Sequence, residues 1–154
     1  MREEKVTKNI LDWLEENGWK IICFDFPQSG TGVLLHPNCS LRKEKNKGGI
    51  IPDIIAVKDD IALFFENKDR FYEPDFEKIY EIKTKLNYSN ALNQLLSGFN
   101  IKSIYYGISI PELSKEVEKS RNHFHKIDFF ITTNNNNCVI IHHDINKVFL
   151  KEKQ

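Results

Sequence analysis

The chain has 154 residues, of which 40% are hydrophobic and 12% aromatic, so it can bury a core and is expected to form one domain over residues 1–154. Its 22 basic and 22 acidic residues cancel, which weighs against a protein that binds DNA through net charge alone but does not exclude a nuclease. It has no run of about 18 apolar residues and no signal-peptide pattern at its start, so we expect a cytoplasmic protein without membrane contact.

The first third of the chain predicts one helix followed by strands and a polar loop. Val6, Ile10 and Leu14 recur at helical spacing, and Asn17-Gly18 supplies a stop. In chain order, the predicted elements are a helix at 3–16, a strand at 20–26, a short strand at 33–36 and a polar, basic loop at 37–49.

The rest of the chain predicts a hairpin, then helices that alternate with strands. In chain order, the predicted elements are strands at 50–57 and 61–67, a helical region at 75–96 broken near Asn87, a strand at 101–110, a helix at 111–123 with Pro111 in its first turn, and a hairpin with strands at 129–132 and 139–142. The strands at 50–57 and 61–67 are apolar on both faces, which predicts interior positions in a covered sheet. This order indicates an α/β fold in which a central mixed β-sheet is flanked by helices.

Cysteines and histidines give no recognisable metal-binding pattern. Cys23, Cys39 and Cys138 form no CxxC pair, so a zinc site or a disulfide framework is not expected. Cys23 and Cys138 lie in apolar runs and are expected to be core residues. The pairs His123-Phe124-His125 and His142-His143 lack a third ligand at a suitable spacing.

Charged residues interrupt the two apolar strands at one end of their predicted hairpin. Pro52-Asp53 is followed by twelve residues and then by Glu66-Asn67-Lys68. If Asp59-Asp60 is a two-residue turn, residue 53 lies opposite residue 66, and the side chain two positions further shares their face. Asp-Asp is not a preferred hairpin turn, so a looser loop would shift this register by one.

Two close carboxylates repel each other unless a proton or a cation lies between them. Mg2+ suits Asp53 and Glu66 because it prefers carboxylate oxygens, and Mn2+ is expected to substitute for it. Lys68 would orient or help deprotonate a water that attacks a phosphodiester, and it would stabilise the negative charge that develops during this hydrolysis. The alternative is a surface hairpin with an ordinary Glu-Lys pair, which does not explain charges on strands that are apolar on both sides.

The motif Pro52-Asp53 with Glu66-Asn67-Lys68 resembles the signature of the PD-(D/E)XK nuclease superfamily, over roughly residues 3–110. The resemblance implies a restriction-endonuclease-like core with the motif on a central hairpin. It also implies metal binding by Asp53 and Glu66, and assistance to the nucleophile by Lys68. Because many members add an acid from the first helix, Glu3 is the candidate for a third metal ligand. The alternative for Glu3 is a first-turn acid stabilised by the helix dipole.

Two polar segments before the motif are candidates for DNA contact. Four basic residues would hold phosphates, namely Arg42, Lys43, Lys45 and Lys47. The turn that contains Gln28 and Ser29 is the second candidate. A solvated loop and a plain turn are the respective alternatives.

These observations predict an Mg2+-dependent DNA endonuclease, with a type II restriction-like role as the first choice. The alternatives are a DNA repair or Holliday-junction-resolving nuclease, and a catalytically silent DNA-binding or assembly subunit with the same fold. Because a chain of this length has little room for a separate recognition domain, sequence-specific double-strand cleavage would require a homodimer or a partner subunit.

Overall fold

The structure is a computed structural model that describes residues 1–26, 32–38 and 48–149. Within these ranges, six strands and four helices form an α/β fold, and a short 3-10 turn at Phe124–Lys126 follows the last helix. The elements are α1 (Glu3–Glu16), β1 (Lys20–Phe24), β2 (Ile54–Lys58), β3 (Ile61–Asn67), α2 (Glu73–Lys85), α3 (Ser89–Leu95), β4 (Ser103–Pro111), α4 (Ser114–Arg121), β5 (Phe129–Thr133) and β6 (Val139–Asp144).

All six strands belong to one mixed sheet, in which their spatial order equals their order in the chain. The pairs β1-β2, β2-β3 and β5-β6 are antiparallel, whereas β3-β4 and β4-β5 are parallel. Parallel neighbours require a crossover, which α2 and α3 provide before β4 and α4 provides before β5. The predicted α/β class, with a mixed sheet flanked by helices, is confirmed. None of the helices in the described ranges has the length and apolar composition needed to cross a bilayer.

Helices cover both faces of the sheet, and side chains of β3 alternate between two cores. Ala62 and Phe64 pack in the core with residues of α2, α3 and α4. Leu63 and Phe65 pack in the opposite core with residues of α1. This alternation puts Glu66, the next even-numbered position, on the face covered by α2.

The hairpin of β2 and β3 has the predicted two-residue turn at 59–60. Lys58 pairs with Ile61 and Ile54 pairs with Phe65, so the register extends to residues 53 and 66. Asp59 adopts φ 53°, a left-handed conformation that an Asp in a turn tolerates. The predicted register is confirmed.

The regular part of β2 is shorter than the sequence indicated. It begins at Ile54 instead of residue 50, because Pro52 has no N–H to donate to a ladder. Ile50 forms only an isolated bridge with Leu35, and the predicted short strand at 33–36 is reduced to this bridge. Asp53 precedes β2, and its N–H donates to the Phe65 carbonyl at 3.1 Å, where the regular ladder ends.

Most other predicted elements are confirmed, with small differences at their ends. The helix at 3–16 and the strand at 61–67 have the predicted bounds, while β1 ends at Phe24, two residues early. The helical region divides where predicted, because Leu86 adopts a left-handed conformation with φ 53° after α2.

Two local predictions are wrong. Pro111 is the last residue of β4, paired with Thr133, and α4 begins only at Ser114. A proline is tolerated at the end of a strand as well as in the first turn of a helix, so its presence alone did not show which of the two elements contains Pro111. Cys23 is buried as expected. Cys138 is exposed, because it lies in the connection between β5 and β6 and not in a strand.

Candidate functional site

Three of the four predicted catalytic or metal-binding residues lie at one end of the central hairpin. Asp53 immediately precedes β2, Glu66 is near the end of β3 and Lys68 follows that strand. The Asp53 carboxylate bridges the two strands, because its Oδ2 accepts a hydrogen bond from the Asn67 N–H at 2.7 Å. The Lys68 N–H donates to the Ser109 carbonyl at 3.0 Å, which fixes the backbone beyond β3 to β4.

Asp53 lies in surroundings that oppose its ionisation. Burial raises the pKa of its carboxyl to about 8, and the negative charge of Glu66 adds to this effect. The hydrogen bond from the Asn67 N–H acts in the opposite direction but is outweighed. Asp53 and Glu66 are therefore a buried acidic pair whose repulsion the nearby charge of Lys78 does not offset.

Glu66 has one partnered and one unpartnered carboxylate oxygen. Its Oε1 lies 3.2 Å from the ammonium of Lys78, which comes from α2. Its Oε2 is buried and has no hydrogen-bond partner among the described residues. Because the residue is only 7% exposed, solvent cannot readily satisfy this second oxygen.

Lys68 lies at the rim of the site and keeps its proton at neutral pH. Burial lowers the pKa of its ammonium, but the negative charges of Asp75, Glu3 and other nearby carboxylates outweigh burial and raise it. Its Nζ lies 5.5 Å from the ring centroid of Tyr72. Lys68 therefore carries a positive charge beside these carboxylates.

Glu3, the predicted third metal ligand, faces Lys68 from the first turn of α1. The Glu3 Oε1 and the Lys68 Nζ are 4.0 Å apart. Burial raises the pKa of Glu3, the Lys68 charge lowers it and the Glu66 charge raises it again, so Glu3 lies within electrostatic range of the acidic pair. However, Glu3, Asp53 and Glu66 do not form a group whose potential ligand oxygens all lie within 4.8 Å of one another.

Two residues of α2 belong to this site although the sequence analysis did not select them. They are Asp75, which is 6% exposed, and Lys78, the partner of Glu66. Burial raises the pKa of Asp75 to about 6, with a further contribution from the Glu66 charge. A signal was present: Asp75 precedes the core residues Ile79 and Ile82 at helical spacing, which predicts an inward-facing carboxylate.

A cleft of about 390 Å³ opens beside Lys68. Its lining is largely charged and comprises Glu3, Lys68, Asp69, Arg70 and Tyr72. Arg70 is exposed, and its Nη1 lies 3.0 Å from Asp69 Oδ1. Asp53 and Glu66 are not among the lining residues, so the cleft adjoins the acidic pair only through Lys68.

A different acidic group has closer ligand atoms. In the part of the chain that the structure describes, Glu73, Glu77 and His123 form the one set of three residues whose potential metal ligands lie within 4.8 Å of one another. Both glutamates are exposed. The ammonium of Lys126 already pairs with Glu77 and lies 3.3 Å from His123 Nδ1, so a cation of the protein occupies this group.

The predicted DNA-contacting residues lie outside the described residues. They are Gln28, Ser29, Arg42, Lys43, Lys45 and Lys47. Residues that border these segments are described. The Asp25 N–H donates a hydrogen bond to the Asp53 carbonyl at 2.9 Å. The Gly48 carbonyl accepts a hydrogen bond from Tyr88 Oη at 2.5 Å.

The site thus combines buried carboxylates for a hard cation with a protonated lysine at an open cleft. Such a set can bind a divalent ion and stabilise an anionic transition state. Comparisons of the chain with protein-family models, with curated proteins and with solved structures give no match.

Proposed function

We propose that this chain is an Mg2+-dependent DNA endonuclease with a restriction-endonuclease-like core of the PD-(D/E)XK kind. The observation that carries the proposal is the meeting of Asp53, Glu66 and Lys68 at the end of two paired, buried strands. Ordinary structural ion pairs balance their charges, whereas here burial and mutual repulsion raise the pKa of Asp53 to about 8. Strongly perturbed acids beside a cleft are typical of functional sites.

The side chains fit a divalent cation. Asp53 and Glu66 supply carboxylate oxygens, and Glu66 Oε2 is buried without a partner among the described residues. Mg2+ is commonly held by one or two carboxylates and several waters, so two protein ligands suffice. When bound, Mg2+ would polarise a phosphodiester and lower the pKa of a bound water. Mn2+ is expected to substitute for it.

Each protein group then has a distinct role. The Asn67 N–H holds the Asp53 carboxylate at 2.7 Å, so this ligand is positioned before any ion arrives. Lys68, whose side chain is 33% exposed, would donate to an anionic oxygen of a phosphodiester placed in the cleft. Positively charged donors that are fixed in advance stabilise negative charge as it develops in the transition state.

The arrangement of elements supports this assignment. The motif occupies an interior hairpin of a mixed sheet with helices on both faces, as the resemblance to PD-(D/E)XK nucleases implies. The basic segment from Arg42 to Lys47 would contact DNA phosphates. A type II restriction-like enzyme, acting as a homodimer or with a partner subunit, is the preferred role, and a repair or Holliday-junction-resolving nuclease is the alternative.

The test is Mg2+-dependent cleavage of plasmid, single-stranded DNA and a four-way junction by the full chain. Asp53→Asn should abolish cleavage and weaken Mg2+ binding in isothermal titration. Asp12→Asn, which removes an exposed acid of α1, is the control and should behave as wild type. Lack of cleavage by the wild type with both Mg2+ and Mn2+ would favour a catalytically silent DNA-binding subunit, and equal cleavage by Asp53→Asn would remove the site assignment.

A further inference from the structure

Tyr72 is an exposed aromatic residue in the charged cleft beside Lys68. Its ring is largely apolar, yet the residue is 44% exposed. The Lys68 Nζ lies 5.5 Å from the centroid of this ring. The cleft therefore offers an accessible aromatic ring next to a cation.

The loop that carries Tyr72 is fixed from its inner side. The Phe71 N–H donates a hydrogen bond to Glu116 Oε2 at 3.1 Å, and the Phe71 ring lies 5.7 Å from the ring of Phe76. The neighbours of Phe71 in the chain, Arg70 and Tyr72, are exposed instead. A fixed backbone reduces the entropy that is lost when such exposed side chains bind a ligand, so this loop is arranged in advance for binding.

The charged residues of the cleft form two pairs with no net charge. The Lys68 Nζ lies 4.0 Å from Glu3 Oε1, and the Arg70 Nη1 lies 3.0 Å from Asp69 Oδ1. The second pair is exposed and contributes little energy, so Arg70 can exchange Asp69 for a phosphate at small cost. A neutral lining does not favour a bare anion. It suits a nucleotide, because a base edge carries hydrogen-bond donors and acceptors beside the anionic phosphate.

We propose that this cleft is a subsite for an unpaired nucleotide of DNA, whose base stacks on Tyr72 and whose phosphate contacts Arg70. This inference rests on the proposed function, which supplies DNA as the ligand. Aromatic rings stack on bases of any sequence, but neighbouring bases cover both faces of a base inside a duplex. The ring can therefore reach only a base in a single strand, at a branch or turned out of the duplex. Because Lys68 belongs to both the motif and the cleft, this nucleotide would lie beside the phosphodiester that is hydrolysed.

Binding of a fluorescein-labelled oligothymidylate to the full chain, measured by fluorescence anisotropy in EDTA, tests the subsite without cleavage. Tyr72→Ala should weaken binding roughly 5- to 150-fold, the range for the loss of one stacked base. Tyr72→Phe keeps the ring and should bind like the wild type. Tyr80→Ala is the control, because Tyr80 is also 44% exposed but lies on α2 outside the cleft lining. Circular dichroism and thermal unfolding establish that each variant is folded.

An abasic strand distinguishes stacking on a base from an indirect effect through Lys68. Such a strand keeps the phosphates and lacks the bases, so Tyr72→Ala and the wild type should bind it with equal affinity. Arg70→Gln should weaken binding of both strands, and the slope of log affinity against log salt should fall by about 0.7 for one phosphate contact with a single strand. Arg121→Gln is the matched control, because Arg121 Nε also lies 3.0 Å from an exposed acid, Glu118. An unchanged slope in Arg70→Gln would overturn the phosphate contact.

The outcomes separate this inference from the proposed function. If the wild type cleaves DNA with Mg2+ but Tyr72→Ala binds the oligothymidylate as tightly as the wild type, the subsite is wrong and the proposed function stands. The subsite is also wrong if Tyr72→Ala loses as much affinity for the abasic strand, or if the wild type binds no oligothymidylate. Binding that depends on Tyr72, without cleavage in Mg2+ or Mn2+, would support the subsite and overturn the proposed catalysis.

Discussion

The side chain of Asn67 donates a hydrogen bond from Nδ2 to the Thr7 hydroxyl at 3.0 Å, joining β3 to α1. Asn67 lies between Glu66 and Lys68, but strand alternation turns its side chain to the opposite face of the sheet. The helix that it holds carries Glu3, which faces Lys68. The middle residue of the motif therefore links the site to the position of the first helix.

Thr7→Val should destabilise the protein although it keeps the shape of the side chain. The change removes the acceptor and leaves the buried Asn67 amide without this partner, at a cost of about 1–3 kcal/mol. The free energy of unfolding, measured with urea, checks the effect. Thr84→Val is the control, because Thr84 is an exposed helical residue whose change should cost little. Equal stability of wild type and Thr7→Val would show that the bond to Asn67 contributes nothing.

The metal-free protein should lose stability as pH rises from about 4 to about 8. Burial and the charge of Glu66 raise the pKa of Asp53 from 3.8 to about 8, so the folded state binds a proton that the unfolded state has released. For one proton the slope is at most about 1.4 kcal/mol per pH unit. Urea unfolding in EDTA across this range measures it. Because the raised pKa of Asp75, about 6, contributes to the lower part of the range, Asp53→Asn should flatten the curve between about pH 6 and 8, and Asp12→Asn should not. Identical slopes there for all three proteins would contradict the prediction.

Lys68→Ala should remove most cleavage while the chain stays folded. The residue is partly exposed, and in the proposed function it would donate to the transition state, where the loss of one such donor costs about 2.7–4 kcal/mol, or roughly 10²–10³ in rate. Single-turnover cleavage with saturating Mg2+ measures the effect, with Lys115→Ala as a control at an exposed position. Wild-type rates in Lys68→Ala would assign the role to another group.

Lys78→Met should lower the stability of the metal-free protein by roughly 1–3 kcal/mol, between the values for exposed and buried ion pairs. The reason is that the Glu66 side chain is only 9% exposed and would lose its cationic partner. Lys85→Met, which breaks the exposed pair with Glu81, should change stability far less. The double variant Lys78→Met with Glu66→Gln should recover most of the loss. A failure to recover it would mean that Lys78 stabilises the fold by packing.

The basic segment before the motif should provide phosphate contacts. Changing Lys43, Lys45 and Lys47 to Ala should weaken binding to all DNA sequences alike, because phosphates carry no sequence information. The slope of log affinity against log salt should fall by about 0.9 for each lost contact. Binding is measured with Asp53→Asn so that no cleavage occurs. The control triple variant removes three exposed lysines elsewhere, Lys8, Lys102 and Lys115. An unchanged slope would locate the DNA contacts on another surface.

Local patterns in the sequence were sufficient for the hairpin and its register. Apolar residues on both faces of two consecutive segments required a covered sheet, and a two-residue turn fixed residue 53 opposite residue 66. Strand alternation then determined that Glu66 and Asn67 face opposite sides. These features were predictable because they depend on neighbours in the chain and on the period of a single element.

The surroundings of the hairpin depended on contacts between distant segments. Asp75 is inward-facing by its helical phase, but only the packing of α2 on the sheet brought it within electrostatic range of Glu66. The pairing of Lys78 with Glu66, and of Glu3 with Lys68, likewise required the crossing positions of two helices. The sequence by itself determined which residues share a face, since side-chain period is a local property. Only the tertiary structure decided which charges meet, because those distances depend on how separate helices pack against one sheet.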